Sequence, residues 1–194
     1  MSRADTAGMT DYSHQSLEAI LKDLSNWLIA LKEMMTYLEN NSQKLVDNGY
    51  WEDINGDFKW IFARANRFYA TALTEIEEIK EQLSIEVQSN HVTRLNRIGI
   101  TSHEIYMDWS DVWVNDVKPK QYGNPNFIIL ENLCNRSGDM AADLLDLSNV
   151  ADRLKDYIGR KGNLEQAAPS VTNNNVNIVG DVSGTIIVGD DNEV

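Results

Sequence analysis

Apolar residues recur at alternating intervals of four and three early in the chain: Leu17, Leu21, Leu24, Leu28, Leu31, Met35 and Leu38. That spacing puts them on one stripe of a helix. Ile20, Trp27 and Met34 widen the stripe to the breadth that a bundle helix buries. Ser16 stands where an N-cap belongs, and Glu18 supplies an acid in the first turn. Asn40-Asn41, then Asp47-Asn48-Gly49, predict the break. A second segment, about Asp57 to Val87, continues with Ala65, Tyr69, Ala72, Ile76, Ile79 and Leu83, flanked by Phe58, Phe62 and Phe68.

The third segment, about His91 to Val117, repeats the alternation through Leu95, Ile98, Ser102, Ile105, Trp109 and Val112. Ser102 is a polar gap in it, and Asp116 sits where the next apolar residue should fall. Gly99 permits a bend, and Pro119 ends the segment. The fourth, about Phe127 to Ile158, has the longest stripe: Leu130, Leu133, Ser137, Met140, Leu144, Leu147, Ala151, Leu154 and Ile158. Gly138 predicts a kink in it, and Gly159 and Gly162 predict its end. Four long helices with short connections predict an all-α, antiparallel four-helix bundle packed at about 20°.

After the last stripe the period changes. Residues 162–172 read as a linker, and residues 173–194 alternate with period two. Asn177-Ile178-Val179-Gly180-Asp181 returns nine positions later as Ile186-Ile187-Val188-Gly189-Asp190. Two strands this short are marginal alone in water. A repeat unit that cannot bury its own apolar face needs neighbours stacked on it. The expected layout is therefore a disordered stretch over 1–11, a bundle over 12–161, a linker over 162–172 and a β-forming tail over 173–194, of cross-β or β-solenoid type.

Charge narrows the partners. The 194-residue chain has a formal net charge of −13, which repels phosphate backbones and argues against nucleic-acid binding. It also opposes simple adsorption on an anionic leaflet. The single cysteine, Cys134, excludes an internal disulfide and reads as a small core hydrophobe. Residues 1–10 lack the apolar run of a secretory leader. No apolar stretch approaches the ~20 residues of a membrane span. The expectation is a cytoplasmic protein.

No arrangement of residues carries catalytic chemistry, so the chain is expected to be neither an enzyme nor a cofactor or metal protein. Asp53, Asn55 and Asp57 imitate the start of a calcium loop, but Phe58 replaces the required glycine and Arg64 the closing glutamate. A loop followed by a helix N-cap is the expected role. Glu75, Glu77, Glu78 and Glu81 lack the Glu-x-x-His partners of a bundle metal site and read as a solvated acidic face. His14, His91 and His103 lie far apart in sequence, and each suits a surface or cap position. Lys59 to Tyr69 mixes basic and aromatic residues and reads as an amphipathic core helix with basic flanks.

The tail carries a resemblance. Residues 173–192, NNNVNIVGDVSGTIIVGDDN, resemble the short amyloid signalling motifs found at the C-termini of helical effectors in bacteria and fungi. Matching motifs begin NLR-type receptors in that family. Residues 186–194 also look like the animal necrosis-signalling motif, although Ile187 stands where that motif carries Gln. A helical bundle with such a tail is similar to the bacterial Bell-domain proteins, analogues of fungal HeLo-type cell-death effectors. The resemblance implies an apolar fibre core of Val176, Ile178, Val179, Ile186, Ile187 and Val188. It implies turns and side-chain ladders at Asn177, Gly180, Gly184, Gly189 and Asn192. Its partners would be further copies of the chain and a receptor with a like motif. On activation the bundle would move to the inner membrane, with Leu17, Leu21, Leu24, Leu28, Leu31, Met35 and Leu38 marking the helix that acts there. Two alternatives stay open: a closed trimeric β-structure that oligomerises a binding protein, and an adaptor that docks a separate effector.

Overall fold

Ser16 caps the first helix: its side chain accepts from the Ala19 N–H at 3.3 Å. The computed structural model describes residues 16–120 and 123–167. The predicted N-terminal stretch over 1–11 and the tail over 173–194 lie outside the described residues. Five α-helices occur among the described residues, and no strand: α1 (Leu17–Asp47), α2 (Gly56–Leu83), α3 (Ser89–Val112), α4 (Phe127–Leu144) and α5 (Leu147–Ala167).

The stripe of α1 is buried, but its centre is offset from the one expected. Leu24, Leu31, Leu38 and Leu45, seven residues apart, are fully buried together with Ile20. Leu17, Leu21 and Met35 are only half-buried, at its edge. The helix also runs through Asn40-Asn41 instead of breaking there. The Asn41 amide donates to the Tyr37 carbonyl at 2.8 Å, which absorbs its polar group within the helix. The break comes at Gly49, whose φ of +70° is left-handed backbone that glycine adopts without strain.

Neighbouring helices run antiparallel, because residue numbers rise along one while they fall along the other. Between α2 and α3, Asn55 meets Asp116, Arg64 meets Asp108 and Glu75 meets Arg94. Between α1 and the last limb, Asp23 pairs with Arg153 at 2.5 Å, Tyr37 lies under Arg136, and Asn48 bonds Asn126. α1 packs on α2 and on α4 and α5, and α3 packs on the same three. The four limbs thus form a helical bundle in which α1 lies diagonal to α3.

The last limb is two helices, where the spacing predicted one. The chain turns at Leu145-Asp146, and Gly138 stays α-helical, where an added Cβ would stand 3.9 Å from Trp109 Cβ. The turn packs closely against α3. A Cβ placed on Gly99 would stand 2.5 Å from Ser148 Oγ and 3.3 Å from the Leu145 carbonyl. Gly99 therefore provides room for the α4–α5 turn, and α3 stays helical through it. Gly159 and Gly162 do not stop the limb either: α5 continues to Ala167, into the predicted linker. Both glycines face open space, so nothing there strains a helix.

The α-helical part of α3 ends at Val112 and passes into a π-helical turn, Trp113–Val117, and a 3₁₀ turn, Lys118–Lys120. The wider turn brings Asp116 and Val117 inward together, 7% and 0% exposed. Beside it lies an aromatic cluster. Phe58 stacks on Phe62 with centroids 5.8 Å apart, and Trp51 and Trp109 meet both rings edge-on at 5.5–6.4 Å.

Candidate functional site

Polar residues that interrupt the apolar stripes prove to be the ties between helices. Ser102 is fully buried, and its hydroxyl donates to the Ala141 carbonyl of α4. Ser137, also fully buried, meets the hydroxyl of Tyr69: the Tyr69 hydroxyl donates to the Ser137 carbonyl at 2.6 Å and lies 3.0 Å from its side-chain oxygen. Burial raises the Tyr69 pKa, opposed in part by Ser137 and Trp109, so the phenol stays neutral. Asp116 accepts from the Asn55 amide, while the Asn55 side-chain oxygen caps α2 by accepting from the Asp57 N–H at 3.1 Å. One asparagine therefore starts α2 and holds the end of α3. Buried polar groups satisfied in this way fix which helices meet and in what register.

In the acidic run of α2, Glu78 and Glu81 are exposed as a solvated face requires, and Glu75 departs from it. Glu75 is only 9% exposed. It accepts from Arg94 Nε at 3.0 Å and from the Arg97 guanidinium at 2.5 Å. Arg94 also reaches Glu78 at 2.7 Å and Gln82 at 3.1 Å. On the other side Glu77 receives Lys32 of α1 at 2.6 Å. The run therefore clamps α2 to both neighbours. Spacing missed this because Arg94 and Arg97 belong to another helix.

His91 is almost wholly buried at the start of α3. Its Nδ1 accepts from the Gln88 N–H at 3.2 Å, and its Nε2 lies 3.1 Å from Gln82 Oε1. This arrangement needs the neutral ring with its proton on Nε2. Burial, aided by the positive Arg94, lowers its pKa below 6.5. His103 is exposed on the outer side of α3. Burial, with the negative charge of Asp116 behind it, pushes the Cys134 thiol up to about 12, so Cys134 behaves as a core side chain. In the Lys59–Tyr69 stretch, Ile61, Phe62, Ala65 and Tyr69 are buried, while Trp60 is exposed beneath Arg64, whose guanidinium carbon is 5.6 Å from the ring.

The helix expected to act on a membrane has its apolar side turned inward. Leu24, Leu31 and Leu38 are fully buried and Leu28 nearly so. No helix among the described residues is long and apolar enough to cross a bilayer. Among them, no group of three or more His, Cys, Asp or Glu is placed to hold a metal ion. The tail residues expected to form the fibre core, turns and ladders, 176–192, lie outside the described residues. No protein-family model, curated protein or solved structure matches the chain.

Proposed function

We propose that this chain is a regulated cell-death or antiphage-defence effector, switched on by templated cross-β assembly of its C-terminal motif. The observation that carries the reading is the doubled Ile-Val-Gly-Asp segment joined to a helical bundle. An activated NLR-type receptor with a like motif supplies an assembled template. The tail adds to it, pairing backbone groups along the fibre axis. Val176, Ile178, Val179, Ile186, Ile187 and Val188 fill the dry interior, and Asn177 and Asn192 stack as amide ladders.

Recruitment concentrates the bundles, which then act at the membrane. The inward stripe of α1 supports a two-step scheme, because Leu24, Leu31 and Leu38 meet lipid only after the bundle opens. The polar ties of Ser102, Tyr69 and Asp116 hold it shut until then.

The test is artificial clustering in bacterial cells. Residues 1–172, fused to a drug-inducible oligomeriser, should depolarise the inner membrane within minutes of drug addition. The uninduced fusion should not. Clustered bundles that leave potential and growth untouched would show that the bundle is not the executioner, and would favour an adaptor.

A further inference from the structure

A cleft of about 200 Å³ opens between the C-terminal half of α3 and the middle of α4. Tyr106, Trp109 and Trp113 line one wall, at i, i+3 and i+7, a spacing that brings them to one side of the helix. Trp109 is fixed from behind, where Phe58 and Phe62 meet its ring edge-on. Tyr106 is 42% exposed and Trp113 half-buried, so both offer aromatic surface to an entering molecule. Trp113 also opens the π-helical turn, a departure from α-geometry that recurs at functional sites. Asn135, Gly138 and Asp139 of α4 make the other wall. An added Cβ at Gly138 would stand 3.9 Å from Trp109 Cβ, so the absence of a side chain there keeps the cleft open.

Charge decides what fits. No lysine or arginine is among the residues that line the cleft. Elsewhere the chain lays its own arginines on aromatic rings: Arg64 over Trp60 at 5.6 Å and Arg136 over Tyr37 at 5.8 Å. Tyr106 and Trp113 instead share their cleft with Asp139, an exposed carboxylate. Burial, and then the negative charges of Asp139 and Asp146, raise the pKa of Asp143, so negative charge accumulates beside the cleft. Aromatic faces next to a carboxylate attract a cation whose charge is spread over apolar methyl groups. A primary ammonium is more strongly hydrated and needs acceptors for three N–H bonds, which an aromatic wall does not supply. The volume lies below the roughly 300–1,000 Å³ of a drug-sized site, which restricts the ligand to a small molecule. A phosphate attached to the ammonium compound would be repelled by Asp139 and Asp143. That repulsion favours a free solute over a phospholipid headgroup.

We infer that the α3–α4 cleft binds a small quaternary ammonium compound of the choline type, with Tyr106 and Trp113 against its methyl groups and Asp139 against its charge. The site lies wholly within the bundle and owes nothing to the tail, so it stands or falls separately from fibre templating.

The test is calorimetric titration of choline chloride into the full-length chain, with sodium chloride at equal ionic strength as the blank. The native chain should bind choline saturably. The neutral isostere, in which carbon replaces the quaternary nitrogen, should bind at least about tenfold more weakly, because it keeps the shape and loses the charge. Phosphocholine should also bind more weakly than choline. Trp113→Ala and Asp139→Asn should each lose affinity, and Trp113→Phe should retain part of it. Trp60→Ala, which removes an exposed tryptophan outside the cleft, should bind like the native chain. Circular dichroism checks that each variant is folded, and Asp139→Asn changes only an exposed side chain should Trp113→Ala fail to fold. A native chain without saturable binding overturns the inference, as does a neutral isostere that binds as tightly as choline. So does equal affinity for phosphocholine, or an affinity that survives both Trp113→Phe and Asp139→Asn unchanged.

Discussion

The hydroxyl of Tyr69, midway along α2, donates to the carbonyl of Ser137 in α4 at 2.6 Å, with both residues fully buried. This bond crosses the bundle diagonally and joins limbs that otherwise share little surface. Tyr69→Phe keeps the ring and removes the bond. The expected cost is about 1–2 kcal/mol, the usual loss when a buried hydrogen bond is deleted. It should appear in urea unfolding as a lower midpoint with an unchanged slope.

Two glycines should respond oppositely to alanine. At Gly99 an added Cβ would meet Ser148 Oγ at 2.5 Å and the Leu145 carbonyl at 3.3 Å. Gly99→Ala should destabilise by about 1–3 kcal/mol, as overpacking does. At Gly159 nothing lies within 4 Å. Gly159→Ala should stabilise by about 0.5–1 kcal/mol through helix propensity. Thermal melts of the two variants provide the check.

His91 makes stability depend on pH in a defined direction. Its folded-state pKa is lowered, so the unfolded chain takes up a proton that the folded chain refuses. The contribution is fully present above about pH 6.5, the ordinary value, and is lost as pH falls through it towards the lower folded value. The midpoint measured between pH 8 and 5 should therefore fall more steeply in the native chain than in His91→Gln. Parallel curves would exclude His91 as the source.

In the proposed assembly, acidic residues in the tail would set the barrier to spontaneous fibre formation. Asp181, Asp190, Asp191 and Glu193 would stack in register and repel one another. Asp190→Asn with Asp191→Asn should shorten the lag before fibres appear, as should higher salt. An unchanged lag would remove charge gating from the account.

The helices were legible because α1, α2 and α3 follow a period that backbone geometry imposes. Leu24, Leu31 and Leu38 could be placed inside from spacing alone. What spacing hid came from partners distant in sequence. The turn at Leu145-Asp146 packs into the room left at Gly99, some forty-five positions earlier. Glu75 looks solvent-facing until Arg94 and Arg97 are folded against it. Ser102, Ser137 and Asp116 register as flaws in an apolar stripe, yet each finds its hydrogen bond on another limb.

Seeding decides the central claim most directly. Preformed fibres of a synthetic peptide covering residues 173–194 are added to the soluble full-length chain, and incorporation is followed by sedimentation and fibre diffraction. The account predicts lag-free conversion of the whole chain into fibres with the ~4.7 Å cross-β repeat, abolished by Val179→Pro with Val188→Pro. A peptide that stays soluble and unstructured at high concentration, or fibres that leave the full-length chain in the supernatant, would contradict it.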